Sequence, residues 1–246
     1  MPGEHRFLDS RAVDQCGRGA SHYYQAMRAE SPNKLSHGRY DKWNTSDVML
    51  DWPLDGGRVD LASVFGNDRP VELEIGSGKG TFLLARAAAR RDLNFLGIEW
   101  AGSYCHYAAD RIRRAELGNV RMIHTDATHF VRRCLADESI WRVHIYFPDP
   151  WPKRKHHRRR SLQLGFALQL RRVLATGGQL LIVTDHMDYF THIRRALSWV
   201  RGLMPIRFAR MTDESGEITG TNFERKYIAL GRAFFTGGWM KRADPA

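Results

Sequence analysis

The hydrophobic pattern of the chain changes character near residue 70. Residues 1–69 show little apolar periodicity and are rich in Gly, Ser, His and Arg, which predicts a partly disordered N-terminal extension. Tyr23, Tyr24, Trp43 and Trp52 predict that some of it docks. From Val71 onward, short apolar runs alternate with stretches of helical period. "VELEI" reads as a strand, and "GTFLLARAAARR" as a helix with Phe82, Leu83, Ala87 and Ala88 on one side. "NFLGIEW" is a second strand, 103–117 a helix ended by Gly118, "VRMIH" a third strand, 127–135 a helix, and "WRVHIYF" a fourth strand. Leu162, Phe166, Leu170, Val173 and Leu174 mark a longer helix that Gly177 and Gly178 stop. "QLLIVT" is a fifth strand, and Phe190, Ile193, Leu197 and Val200 share one face of the next helix. Two further strands are expected near 205–211 and 225–235. This alternation predicts an α/β domain over 70–246 with a doubly wound, mostly parallel sheet. Ligands of such sheets bind beyond the carboxyl ends of the strands.

Composition changes the picture in one respect. Apolar residues make up 43% and charged residues 26% of the 246, as in ordinary soluble proteins. Lys and Arg number 38 against 27 Asp and Glu, a formal charge of +11. That excess predicts attraction to polyanions, nucleic acid first and an anionic membrane surface second. No apolar run approaches the ~18 residues of a membrane span, and "MPGEHRFLDS" has acids where a secretory signal would be apolar. Cys16, Cys105 and Cys134 lack metal-ligand spacing. The expectation is a cytoplasmic protein with free thiols, no metal and no membrane partner, either monomer or homodimer.

Chemistry enters where the first strand runs into "ELEIGSGKG". Gly76, Gly78 and Gly80 allow a tight turn and close approach of the backbone to a ligand. The spacing is G-x-G-x-G, not the G-x-G-x-x-G of dinucleotide binders. Glu74 precedes the turn, and three more acids fall at strand ends: Glu99, Asp126 and Asp149. Glu99 lies 23 residues beyond Gly76, where an acid takes ribose hydroxyls in this architecture. So acidic a crevice suits S-adenosylmethionine, which carries an ammonium and a sulfonium and no phosphate. Glu74 would hold the ammonium, directly or through water, and Asp126 would lie near the adenine edge.

The fourth strand ends in "FPDPWPKRKHHRRR", where Asp149 stands between two prolines ahead of a run of cations. "EIGSGKG", "GIEWA", "FPDPWPKRKHHRRRSL", "VTDHMDYF" and "TNFERKYIALGR" resemble the ordered motifs of the bacterial-type tRNA (guanine(46)-N(7))-methyltransferase family. The resemblance covers about residues 70–235. It implies a Rossmann-like enzyme that methylates N7 of the variable-loop guanine of tRNA with S-adenosylmethionine. By matching motif, Glu74, Glu99, Asp126 and Asp149 would bind cofactor, with Asp149 also at the catalytic position. Lys153, Asp185, Thr221, Asn222, Phe223 and Glu224 would contact the substrate. Trp100 stands where a smaller residue is usual, Asn222 where Lys is frequent, and the first 69 residues resemble the family poorly.

Guanine N7 has a lone pair and no proton to lose, so methyl transfer needs alignment more than a general base. A fixed carboxylate, Asp149 or Glu224, would accept the two donors of the Watson–Crick edge and select guanine. The cations, Arg158, Arg159 and Arg160 included, would neutralise phosphates, and Trp151 would stack on a nucleotide or pack beneath the loop. Three rival readings stand beside this one: a non-catalytic RNA-binding subunit on a degenerate methyltransferase fold, an NAD-linked oxidoreductase, and a methyltransferase acting on another RNA. The glycine spacing and intact acids argue against the first two.

Overall fold

A computed structural model describes residues 42–52, 57–212 and 217–243. Seven strands form one sheet in the order β3-β2-β1-β4-β5-β7-β6. The first five, β1 Val71–Ile75, β2 Asn94–Glu99, β3 Val120–His124, β4 Ile140–Tyr146 and β5 Leu174–Thr184, run parallel. β7 Phe235–Lys241 returns antiparallel to β5 and pairs with β6 Leu203–Ile206. The expected fold class, α/β with a doubly wound, mostly parallel sheet, is the observed one. Because β1 lies between β2 and β4, the chain reverses its direction of winding there, and a crevice opens beyond the ends of β1 and β4.

Helices cover both faces, since a parallel sheet must bury both. In β1 the odd positions Val71, Leu73 and Ile75 meet the core formed by α4 Ala127–Arg133, α5 Leu164–Val173 and α6 Met187–Ser198, with α1 Leu61–Phe65 at its margin. The other face packs against α2 Thr81–Ala89 and α3 Gly102–Arg114 through Phe82, Leu83, Cys105, Ala108 and Ile112. On that second face β1 presents Glu72 and Glu74, both buried.

Compact packing starts at Trp43 and not at residue 70. Val48 and Leu50 exchange backbone hydrogen bonds of 2.9 Å with Met122, which extends the sheet edge at β3. Trp52 meets the Phe130 ring edge-on at 5.7 Å, and Trp43 lies 6.2 Å from Tyr107. Tyr23, Tyr24 and the disorder expected of the extension's first part lie outside the described residues. No helix among the described residues is long and apolar enough to cross a membrane.

The C-terminal expectations need correction. The segment expected as a strand at 225–235 is a helix, α7 Asn222–Ala229, followed by β7. Thr221-x-x-Glu224 is a helix-start signature, and the Thr221 hydroxyl accepts the Glu224 N–H at 3.1 Å. β7 was hidden by Gly237 and Gly238, which are poor strand formers. A Cβ at Gly237 would lie 2.4 Å from the Trp239 ring, so this position is closed to larger residues.

Candidate active site

The glycine turn leaves β1 with Gly76 at φ 81° and Gly78 at φ 52°, left-handed values that L side chains rarely adopt. It borders a cavity of about 450 Å³ at the β1/β4 crevice. The turn satisfies its own donors. Gly76 and Ser77 N–H groups donate to the Ile98 carbonyl (2.8 and 3.1 Å), and Gly78 N–H donates to Glu99 Oε2 at 2.8 Å. A phosphate-binding loop leaves such N–H groups for its anion. Here they are tied to the neighbouring strand, which disfavours a dinucleotide; of the acids expected at the strand ends, Glu74 alone lines the cavity, together with Lys79 and Lys226, while Glu99 and Asp126 stand outside the lining. Gly80 does a different job from its two neighbours. It sits at the N-terminus of α2, where a Cβ would come within 2.9 Å of Ala108 Cβ, so it lets α2 pack on α3 and does not border the cavity.

Glu74 lies in the cavity wall, only 3% exposed. Its Oε2 has no hydrogen-bond partner among the described residues. Burial pushes its pKa up to about 8; Ser77 works against that shift, and the charge of Glu99 adds to it. A buried acceptor of this kind fits an ammonium, which would supply both a donor and the countercharge. Glu99, half-buried at the end of β2, also accepts the Ala101 N–H at 2.7 Å, leaving carboxylate lone pairs for ligand hydroxyls. Asp126 caps α4 by accepting the His129 N–H at 2.8 Å.

The opposite wall is the start of α7. Asn222, Phe223 and Thr221 border the cavity, as does Lys226, which sequence reasoning missed although it lies one turn beyond Asn222. Asn222 Nδ2 donates to Thr81 Oγ1 at 2.8 Å and so joins α7 to the start of α2. Glu224 is fully buried and accepts from Ile218 N, Thr219 N, Thr219 Oγ1 and Gly220 N at 2.5–2.8 Å. The expectation that it could read the base is therefore corrected: its oxygens are occupied in holding the 218–220 turn. Asp185, at the end of β5, lies 3.9 Å from Arg232. Burial first, then the charge and a hydrogen bond of Asp185, push the Tyr227 phenol up, with Arg232 opposing.

Beyond β4 the Pro-Asp-Pro-Trp loop runs beside α7. Phe147 and Trp151 adopt left-handed backbone (φ 52° and 42°), which costs about 1 kcal/mol each for residues with a Cβ. Phe147 is fixed by its N–H to Val183 (2.7 Å) and by the rings of Tyr227 and Phe223 at 5.3 and 6.3 Å. Asp149 is exposed, its carboxylate makes no hydrogen bond or ion pair among the described residues, and it stands outside the cavity lining. The cations Arg154–Arg159 form an exposed 3₁₀ turn, preceded by exposed Lys153. Trp151 packs against that turn, with Arg159 at 4.9 Å over its ring and His156 against its edge.

Arg160 breaks the pattern and corrects another expectation. It is 2% exposed, donates to the Pro150 carbonyl at 2.8 Å and to Asp188, and lies over the Tyr189 ring. It ties the Pro-Asp-Pro-Trp loop to α6, and no face remains for a phosphate. Also unforeseen was a chain of polar side chains behind the cavity: Tyr146, His144 and Glu72, with Arg86 and Arg142. Alternation in "VELEI" and "WRVHIY" puts Glu72 with Glu74, and Arg142 with His144 and Tyr146, on one face of each strand. The register that pairs Glu72 with Arg142 and Glu74 with His144 brings the two faces together.

Similarity to known proteins agrees with this geometry. The family described as "Putative methyltransferase" matches residues 68–236. The tRNA (guanine-N(7)-)-methyltransferase of Idiomarina loihiensis is 36% identical over 196 residues, 72% of this chain and 78% of that protein. The enzyme of the same description from Rhodopirellula baltica is 33% identical over 244 residues, 95% of this chain and 88% of that protein. Among solved structures, the antibiotic-resistance methyltransferase Kmr shares the fold, with a TM-score of 0.53 at 15% identity over 80% of this chain and 96% of that one. With the glycine turn, the acids at the strand ends and these matches taken together, the chain belongs to the tRNA (guanine-N(7)-)-methyltransferase family.

Proposed function

We propose that the protein transfers a methyl group from S-adenosylmethionine to N7 of a guanine in tRNA, the variable-loop guanine at position 46. The observation that carries the cofactor half is Glu74 Oε2, a buried acceptor without a donor among the described residues, beside a turn whose Gly76, Ser77 and Gly78 N–H groups are already engaged. When bound, the cofactor supplies an electrophilic methyl group on its sulfonium. Glu74 holds the ammonium, Gly76 and Gly78 let the backbone approach, and Glu99 accepts ribose hydroxyls through its remaining lone pairs. Asp126 borders the adenine side. Target guanine enters from the α7 side, where Asn222, Phe223 and Lys226 meet the cavity. Asp149 accepts the donors of its Watson–Crick edge, Asp185 and Lys153 contact the substrate, and the exposed cations from Lys153 to Arg159 neutralise flanking phosphates. N7 carries no proton, so no residue needs to act as a base, and alignment supplies the acceleration.

The test is incubation with unmodified tRNA and methyl-labelled cofactor, followed by mapping of the labelled nucleotide. Label on N7 of the variable-loop guanine is the expected result. Label on another base or another RNA would refute the substrate assignment, and no label with intact cofactor binding would favour a non-catalytic subunit.

A further inference from the structure

Behind the cavity, four donors converge on the fully buried Glu72 carboxylate. Arg142 Nη1 donates at 2.7 Å, Arg86 Nε and Nη2 at 3.2 Å each, and His144 Nε2 lies at 3.0 Å. An ionised carboxylate only accepts, so the proton of this last contact belongs to His144 Nε2. The other ring nitrogen, Nδ1, lies 2.7 Å from the Tyr146 hydroxyl. His144 is fully buried, and burial keeps its pKa below the usual histidine value even beside Glu72. In the neutral ring Nδ1 is an acceptor, and the Tyr146 hydroxyl must donate to it. The phenol hydrogen is then committed to His144, and Tyr146, which lines the cavity as Glu74 does, has only lone pairs left on its oxygen. Tyr146 thus offers an acceptor in the lining that holds Glu74, whose carboxyl would accept too once an ammonium displaces its proton.

We propose that Tyr146 is a second ligand of the cofactor's ammonium, beside Glu74, and that His144 and Glu72 are positioning residues that hold its phenol as an acceptor. This rests on the reading of the cavity as the S-adenosylmethionine site. It gives the buried ion cluster a function, since a hydroxyl free to rotate would turn its hydrogen toward a cation only at a loss.

The test combines two measurements on the full chain. Calorimetric titration uses S-adenosylhomocysteine and 5′-methylthioadenosine, the second of which keeps the nucleoside and thioether but lacks the amino-acid part. Tyr146→Phe should weaken S-adenosylhomocysteine binding roughly tenfold or more and leave methylthioadenosine binding within about twofold. Equal weakening of both ligands, or of neither, would overturn the proposal while the cofactor reading stands. Wild-type protein that binds neither would overturn both. Nitrogen-15 NMR of His144 should show the neutral Nε2–H tautomer; an imidazolium or an Nδ1–H tautomer would overturn the relay without any variant. In Glu72→Gln the amide donates to Nε2, the tautomer reverses, and the phenol hydrogen is released toward the ammonium. That variant should show the reversed tautomer together with selective loss of S-adenosylhomocysteine affinity, and the new tautomer with unchanged affinity would again refute the proposal.

Discussion

Glu74 folds as a buried acid and, in the proposed function, binds the cofactor as an anion. With a folded pKa raised to about 8 from 4.5, it keeps its proton at pH 7 while the unfolded chain loses it. The unfolded state therefore binds fewer protons between these two values, and stability falls as pH rises from 4.5 to about 8. Glu74→Gln should raise the melting temperature at pH 8 and change it little at pH 4, as a thermal-denaturation series would show. The same proton opposes the ammonium. S-adenosylhomocysteine affinity in wild type should strengthen up to about tenfold per pH unit from pH 6 toward neutrality, with proton release visible in calorimetry across buffers. Glu74→Gln should abolish that slope. Asp149 makes no contact that holds the fold, so Asp149→Asn should leave melting temperature and tRNA affinity unchanged. Its single-turnover methylation rate should fall roughly a hundredfold, about 2.7 kcal/mol of transition-state stabilisation. A near wild-type rate would remove Asp149 from the reaction.

Elements, more than single residues, decide what the basic run does. Its exposed members lie on the 3₁₀ turn Arg154–Arg159, whereas Arg160 turns inward to Pro150 and Asp188. Arg158→Ala with Arg159→Ala should reduce the salt slope of tRNA binding by about 0.7–0.9 log unit per lost phosphate contact and leave the melting temperature unchanged. Arg160→Ala should do the opposite. It leaves the half-buried Pro150 carbonyl without its donor, a loss of about 1 kcal/mol, and lets the strained loop relax. Its melting temperature should drop while its salt slope stays that of wild type. A comparable division applies at α7. Glu224→Ala would strip four donors of their acceptor at the 218–220 turn, so it should lower stability and cofactor affinity together, measured by denaturation and titration.

For the whole molecule, the succession of strands and helices as far as α6 and the place of the crevice beyond the strand ends were already legible in the alternation of apolar runs with helical periods. Local rules decide those features: side-chain period, glycine turns and the short right-handed connections of an α/β chain. The glycine turn, Glu74 and Glu99 were legible for the same reason, since a strand end fixes where its next residues go. α7 was written in Thr221-x-x-Glu224 but masked by the strand-like residues around it. Trp43 and Trp52 signalled that part of the extension docks, but the contacts by which residues 43–52 do so are isolated aromatic and backbone ones, which have no period to read. The sequence by itself thus determined the fold class, the glycine turn with its acids at the strand ends, and the positive charge of the chain, because each follows from neighbours in the sequence or from a sum over it. Only the tertiary structure decided which charges stay exposed and which are buried as supports. Arg160 and Glu224 look like their exposed neighbours in the sequence, and burial against α6 and against the 218–220 turn makes them structural. Glu72 and His144, 72 residues apart, meet only because β1 and β4 pair in one register. Partnership between buried polar groups depends on a few ångströms of three-dimensional placement, and no local pattern encodes that distance.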